Sequence, residues 1–230
     1  MRALAAKGLF IMLSFLLSLS ILAQHGCSEP REKKAVYVLV DTSGTYSKQF
    51  DKVQTVLRYL LGSLQPGESL ALARIDSESF NEKDIVARMS FDLRPSMANA
   101  QKRAFLESVD KFGKNIKSSK YTDITGGILQ AIEYLNETQA TQRYILIFSD
   151  LKEEIKKGQI RNFPISFNGI HVVAINVTKL KSDNVDPRKY QKRVDEWTNR
   201  VEQGGGNWKL INDMNHLSQI LEESVTNVTK

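Results

Sequence analysis

The sequence has 230 residues, of which 41% are hydrophobic and 25% are charged. This composition is ordinary for a globular protein, and it excludes a disordered chain, a collagen and a protein with many membrane spans. The net charge of +6 comes without a basic block interleaved with aromatic residues, so we expect no nucleic-acid partner. One Cys and three His exclude an intrachain disulfide and a zinc site built from Cys and His.

The N-terminal segment has the features of a secretory signal. Arg2 and Lys7 precede an uncharged apolar run of fifteen residues, 9–23, and a positive segment followed by a short apolar run is typical of signal peptides. Fifteen residues fall short of the roughly 20 that a membrane-spanning helix needs. The sequence therefore predicts a signal peptide over residues 1–26 and an exported protein.

The single cysteine, Cys27, lies four residues beyond the apolar run. This placement resembles the lipobox of bacterial lipoproteins, in which the cysteine becomes the acylated first residue of the mature chain. The resemblance implies a lipid anchor at Cys27 and a location in the bacterial cell envelope or periplasm. Cleavage after Ala23 is the alternative, and it would leave Cys27 as a free thiol. Residues 27–34 are polar and predict a tether to a domain that spans 35–226.

The mature chain begins with a predicted strand, a helix and a hairpin. Residues 35–40 form a continuous apolar and β-branched run, which predicts a strand that is buried on both faces. Apolar residues then recur at helical spacing over 47–64. Two further apolar runs, 69–75 and 85–93, are joined by a polar loop and predict a hairpin.

The middle of the chain predicts two helices and two buried strands. The first helix begins at a Pro-Ser pair and covers 95–112, with Gly113 as its stop. A second helical pattern covers 124–135. The apolar runs 143–148 and 170–177 have the composition of strands that are buried on both faces.

The last part of the chain predicts two helices around a short strand. The helix over 186–203 ends at three consecutive glycines, 204–206, and a strand over 208–211 and a helix over 215–225 follow. Strands that alternate with helices predict a largely parallel sheet covered by helices on both faces. We therefore expect a Rossmann-like three-layer α/β/α sandwich in which the hairpin supplies one antiparallel edge strand.

Oxygen-bearing side chains follow the predicted buried strands. Asp41, Ser43 and Thr45 alternate in the loop after the first strand, Thr122 precedes the third helix, and Asp150 follows the fourth strand. In folds of this class, ligands bind at the carboxyl ends of the strands. Carboxylates and hydroxyls are hard ligands that suit Mg²⁺, Mn²⁺ or Ca²⁺ and suit Zn²⁺ poorly. The pattern therefore predicts a divalent-cation site.

The same five residues resemble the metal-ion-dependent adhesion site of von Willebrand factor A domains. That family has Asp-x-Ser-x-Ser after its first strand, a Thr before a later helix and an Asp after a later strand. The resemblance implies that Ser43, Thr45 and Thr122 coordinate Mg²⁺ (or Mn²⁺) through their hydroxyls. It implies that Asp41 and Asp150 bind the ion directly or through water. It also implies a binding protein, not an enzyme, in which the ion captures an acidic side chain of a protein partner.

Two positions depart from the pattern of the family. Thr45 replaces the last Ser of the motif but keeps the hydroxyl group. Leu151 follows Asp150 where many relatives have Gly, and leucine adopts a positive φ less readily than glycine, so the shape of this loop stays open. Thr125 is an alternative to Thr122 as the middle ligand.

Three other interpretations of the same residues stay open. Asp and Ser residues after strands also cap helices without any metal. The run from Asp41 to Thr45 also resembles the start of haloacid-dehalogenase-like phosphohydrolases, with Asp41 as the nucleophile, but Ser43 replaces their general acid/base and cannot exchange a proton in that role. A metal-independent scaffold in an envelope assembly would keep the fold and use another surface.

Overall fold

The computed structural model describes residues 32–43, 49–77 and 79–212. The described residues from Lys33 to Asn212 belong to one compact unit, and Glu32 belongs to a separate one. The predicted signal peptide, Cys27, Thr45 and the predicted helix at 215–225 lie outside the described residues. Within those residues, no helix is long and apolar enough to cross a membrane.

The centre of the described chain is a sheet of six strands. These are β1 (Lys34–Asp41), β2 (Ser69–Ile75), β3 (Ile85–Ser90), β4 (Gln142–Phe148), β5 (His171–Ile175) and β6 (Asn207–Ile211). Their order in the sheet is β3-β2-β1-β4-β5-β6, and every neighbouring pair is parallel except β2 and β3. The parallel strands therefore all end at one edge of the sheet, with β1 and β4 at its centre.

Helices cover both faces of the sheet. Those in the described residues are α1 (Phe50–Ser63), α2 (Pro95–Lys114), α3 (Ile124–Glu137), α4 (Lys181–Val185) and α5 (Arg188–Gln203). Successive side chains of β1 point to opposite faces, so Val38 packs in the cluster that contains α1 and α2, and Leu39 in the cluster that contains α3 and α5. The predicted three-layer α/β/α sandwich with one antiparallel edge strand is confirmed.

The ends of most predicted elements shift by at most three residues. The strand predicted over 170–177 ends at Ile175, because Asn176 turns the chain with a φ of 53°. The prediction missed the short helix α4, whose sequence Lys-Ser-Asp-Asn-Val carries no apolar periodicity. His171 is the first residue of β5, and its ring stacks on Tyr144 with 5.1 Å between the ring centroids.

Gly113 lies inside α2 and does not end it, which corrects the prediction. A Cβ atom at this position would lie 2.6 Å from Cε1 of Phe50 in α1, which is far inside van der Waals contact. The glycine therefore allows α1 and α2 to approach each other closely. The helix ends one residue later, where the backbone N–H of Asn115 donates to the carbonyl oxygen of Phe112 at 2.9 Å.

Candidate metal site

Asp41 is the last residue of β1 and is 1% exposed. Its carboxylate accepts two hydrogen bonds from neutral donors, the backbone N–H of Ser43 at 2.7 Å and the hydroxyl of Ser149 at 2.8 Å. Ser149 follows β4, the neighbour of β1, so this hydrogen bond joins the loops at two adjacent strand ends. Both oxygens of Asp41 are therefore fixed in orientation.

The two carboxyl groups of the motif are costly to ionise. Burial raises the pKa of Asp41 from 3.8 to about 6, although hydrogen bonds from Ser43 and Ser149 lower it, and the negative charge of Asp150 raises it further. Burial also raises the pKa of Asp150, although the backbone N–H of Lys152 and the positive charge of Arg193 lower it. A cation bound between the two carboxylates would offset both effects, because it stabilises their charged forms.

The Asp150–Leu151 turn has a positive φ at the position where many members of the resembled family have glycine. Leu151 has a φ of 63°, in the left-handed region, and its side chain is 2% exposed in the core. Its backbone N–H donates to the Ser149 hydroxyl at 3.1 Å, and the backbone N–H of Lys152 donates to the carboxylate of Asp150 at 2.8 Å. The loop therefore adopts a positive φ despite the leucine, which answers the question that the sequence left open.

Thr122 is buried. Its loop lies between the loops that follow β1 and β4, and it is hydrogen-bonded to both. The backbone N–H of Thr122 donates to the carbonyl oxygen of Glu154 at 2.8 Å, and the N–H of Glu154 donates back at 3.0 Å. On the other side, the N–H of Ser119 donates to the carbonyl oxygen of Thr42 at 3.2 Å, and Ser119 forms a bridge with Ser43. The loop that carries Thr122 is thus tied to the loops that carry Ser43 and Asp150.

Thr125 makes contacts of a different kind. Its hydroxyl donates to the carboxylate of Glu153 at 3.0 Å and accepts from Nη1 of Arg200 at 2.7 Å. Asp123 caps α3 by accepting from the backbone N–H of Gly126 at 2.8 Å, and its carboxylate is paired with Arg161 at 2.7 Å. The helix-cap interpretation therefore applies to Asp123, whereas Thr125 belongs to an ion-pair network beside the site.

The structure brings four of the five predicted residues to one edge of the sheet. Asp41, Ser43, Thr122 and Asp150 lie in loops that hydrogen bonds connect directly, and Thr45 lies outside the described residues. Ser149, which orients Asp41, was not among the predicted site residues, although its position directly before Asp150 was a signal for it. The contacts from α5 to the Asp150 loop were not predicted either, because no sequence motif marks them.

The chemistry of these side chains fits a hard divalent cation. In residues 32–43, 49–77 and 79–212, no group of three or more His, Cys, Asp or Glu side chains is placed to hold a metal ion. A metal bound at this edge would therefore depend on hydroxyl ligands as well as on Asp41 and Asp150. Hydroxyls and carboxylates together suit Mg²⁺ or Mn²⁺.

Comparisons with known proteins identify similar folds. No family model matches the sequence, and no curated protein matches it. The PilB minor pilin from Streptococcus sanguinis is 12% identical with a TM-score of 0.52, and the alignment covers 86% of this chain and 61% of that one. The pilus adhesin SpaC from Lactobacillus rhamnosus GG is 12% identical with a TM-score of 0.50, over 85% of this chain and 30% of that one.

A von Willebrand factor type A protein from Catenulispora acidiphila is 10% identical with a TM-score of 0.46, over 84% of this chain and 42% of that one. The chain thus spans less than two thirds of the length of each of these three proteins. At such low identities the likeness concerns the fold and not the activity. The sheet order and the likeness to the PilB and SpaC structures agree on an α/β fold with a mostly parallel sheet, one antiparallel edge strand and helices on both faces.

Proposed function

We propose that this chain is an exported, lipid-anchored binding protein that captures an acidic side chain of a protein partner through a bound Mg²⁺ or Mn²⁺ ion. The ligands would be Asp41, Ser43, Thr45, Thr122 and Asp150. The observation that carries the proposal is the pair of carboxyl groups at the end of β1 and just after β4: Asp41 is buried, Asp150 is half-buried, and the negative charge of Asp150 raises the pKa of Asp41. A bound cation would supply the opposite charge that a buried carboxylate needs.

The residues of the site have separate tasks in this proposal. Ser43 and Ser149 hold the carboxylate of Asp41 in one orientation, so that little ordering remains for metal binding. The threonine and serine hydroxyls would add ligands without adding negative charge. A bound ion would therefore keep much of its positive charge, which attracts a carboxylate from outside the chain.

Thermal unfolding of residues 27–230 tests the metal site. The metal-free protein is titrated with Mg²⁺, Mn²⁺ or Ca²⁺, and Asp41→Ala and Asp150→Ala serve as controls. At a concentration of 100 times Kd, a ligand adds about 2.7 kcal/mol to the free energy of unfolding, which raises the midpoint by about 5 to 10 °C for a domain of this size. We expect a saturating rise in the wild type and none in either variant.

A soluble carboxylate tests the capture of an acidic group. In the presence of acetate, the midpoint rise with Mg²⁺ or Mn²⁺ should increase, because the carboxylate completes the coordination of the ion. An ion-dependent rise that acetate leaves unchanged would contradict capture but keep the metal site. No rise with any ion, with or without acetate, would favour the metal-independent scaffold.

The phosphohydrolase interpretation makes a different prediction. Asp41 would have to attack a phosphoryl group, but it is buried and both of its oxygens accept hydrogen bonds. We therefore expect no turnover of an aryl phosphate by the metal-loaded protein. Turnover that Asp41→Asn abolishes would replace the binding proposal with an enzymatic one.

A further inference from the structure

Two side chains of α5 donate hydrogen bonds to the backbone of the Asp150–Leu151 turn. Arg193 Nε donates to the carbonyl oxygen of Asp150 at 3.2 Å, and Trp197 Nε1 donates to the carbonyl oxygen of Leu151 at 3.1 Å. Arg193 and Trp197 are four positions apart, so they lie one above the other on the same face of the helix. One helix face therefore supplies donors to two consecutive carbonyl groups.

The Arg193 guanidinium is oriented before it reaches the turn. It forms a two-pronged ion pair with Asp183 of α4, at 2.9 and 2.7 Å, and the side chains of Arg193 and Asp183 are 13% and 0% exposed. The backbone N–H of Leu180 donates to the same carboxylate at 2.7 Å. These contacts fix the guanidinium group, so its Nε–H is aimed at Asp150.

The turn needs such support because a leucine occupies a left-handed conformation in it. A side chain at positive φ is strained and persists only where its surroundings hold it. Leu151 lies in the same hydrophobic cluster as Trp197, so the indole ring packs in the core beside this loop while its N–H holds the backbone. Loss of the turn would also disturb Ser149, whose hydroxyl links the N–H of Leu151 to the carboxylate of Asp41.

We infer that Arg193 and Trp197 are positioning residues. They hold the Asp150–Leu151 turn and so orient the carboxylate of Asp150 towards the candidate metal site. The inference rests on the proposed metal site for its functional meaning, but the support of the turn itself does not. In this chain, the hydrogen bonds from α5 stabilise the turn in which Leu151 has a positive φ. The glycine of the family motif can adopt a positive φ without strain and needs no such support.

Trp197→Phe is the first test, because it keeps an aromatic ring in the core and removes the donor. The matched control is Trp208→Phe in β6, where the partly buried indole packs against the same hydrophobic cluster. Amide hydrogen exchange of the metal-free exported chain is compared at Leu151 and Lys152, and the Kd of Mn²⁺ is measured by electron paramagnetic resonance. We expect faster exchange at both amides and a Kd about tenfold higher for Trp197→Phe, with neither change in the control.

A rescue experiment separates positioning from packing. Glycine adopts the positive φ of residue 151 without strain, so Leu151→Gly combined with Trp197→Phe should regain part of the Mn²⁺ affinity. If Trp197 acts only by filling space, the double variant opens a larger cavity and binds Mn²⁺ more weakly than Trp197→Phe alone. Arg193→Gln combined with Asp183→Asn removes the other donor without leaving an unpaired charge, and it should raise the Kd in the same way.

The outcomes that overturn the inference differ from those that overturn the proposed function. Unchanged exchange at Leu151 and Lys152 in Trp197→Phe would show that the turn does not depend on α5. Faster exchange with an unchanged Mn²⁺ affinity would show that the turn does not aim Asp150. If the wild type binds no Mn²⁺, the proposed function fails, and the exchange data alone then decide whether α5 supports the turn.

Discussion

At the scale of single residues, Asp41 lowers the stability of the metal-free protein. Its carboxyl group is buried and receives hydrogen bonds only from neutral groups among the described contacts, while Asp150 repels its charge. An acid whose pKa is raised by folding favours the folded state at low pH and opposes it at high pH. The metal-free domain should therefore become less stable, through Asp41, as the pH rises from about 4 to about 6.

Asp41→Asn tests whether the buried charge of Asp41 destabilises the metal-free protein. The amide keeps the shape of the side chain and can bond to both Ser43 and Ser149, but it carries no charge. At pH 7 we expect the metal-free variant to unfold with a free energy up to about 3 kcal/mol above that of the wild type, since each pKa unit corresponds to about 1.4 kcal/mol. Urea unfolding at pH 7 and pH 4 measures this difference, which should nearly vanish at pH 4.

The control for this prediction is Asp51→Asn, the same chemical change at an exposed position in the first turn of α1. It should alter the free energy of unfolding by less than about 0.5 kcal/mol at either pH. A metal-free Asp41→Asn protein that is less stable than the wild type at pH 7 would show that the charge of Asp41 does not destabilise the fold.

At the scale of helices and strands, the contact between α1 and α2 depends on Gly113. A methyl group at this position would overlap with the ring of Phe50, which also makes an edge contact with Phe112 at 5.4 Å between centroids. Gly113→Ala should therefore lower the free energy of unfolding by about 1 to 3 kcal/mol. Thermal unfolding of the two proteins provides the measurement.

Gly62→Ala is the counterpart on an open surface. Gly62 lies inside α1, and a Cβ atom there would meet no atom within 4 Å. Alanine has the higher helix propensity, so this variant should gain about 0.8 to 1 kcal/mol. Equal effects of Gly62→Ala and Gly113→Ala would mean that the close approach of α1 and α2 does not control stability.

The ion pair between α4 and α5 predicts a dependence on pH of the opposite sign to that of Asp41. Hydrogen bonds from Arg193 lower the pKa of Asp183 to about 2, and an acid whose pKa is lowered by folding stabilises the folded state above its unfolded pKa. Asp183→Asn should therefore cost about 2 kcal/mol at pH 7. About half of this difference should be lost at pH 3, as urea unfolding can measure.

Asp186→Asn provides a matched comparison. Asp186 pairs with Arg188 at 2.8 Å, but the Arg188 side chain is 91% exposed, and exposed ion pairs contribute about 0 to 1 kcal/mol. The variant should therefore differ little from the wild type at any pH. If both variants lose the same stability at pH 7, burial of the Asp183 pair is not what makes it strong.

At the scale of the whole molecule, the sequence predicted the layers of the fold and the edge of the sheet where the candidate site lies. Buried parallel strands produce continuous apolar runs, and oxygen ligands after such runs are visible without a structure. Contacts between distant elements were not visible. Gly113 looked like a helix stop because close helix packing and helix termination both select glycine, and the hydrogen bonds from Arg193 and Trp197 to the Asp150 loop have no local signature.

The proposed anchor also concerns the whole molecule. If Cys27 carries a lipid, wild-type protein should remain with the membrane fraction of the producing bacterium, whereas Cys27→Ser should be released into the soluble fraction. Acyl chains insert into a bilayer with about 0.8 kcal/mol for each buried CH₂ group. Equal fractionation of the two proteins, with a mature N-terminus at Gln24 by mass spectrometry, would support cleavage after Ala23 instead.

The hydrogen bond between Ser149 and Asp41 spans 108 positions of the chain, and this separation has a consequence for folding. β1 pairs with β2 at a separation of 34 residues, as between Ala35 and Ser69, but it pairs with β4 only across a loop about three times longer. Closing the longer loop costs about 1 kcal/mol more in chain entropy. We therefore expect β4 to join late, and the carboxylates of Asp41 and Asp150 to meet only after the rate-limiting step. A cation that binds them would slow unfolding and leave the folding rate unchanged, so it would lengthen the lifetime of the folded protein without speeding its folding.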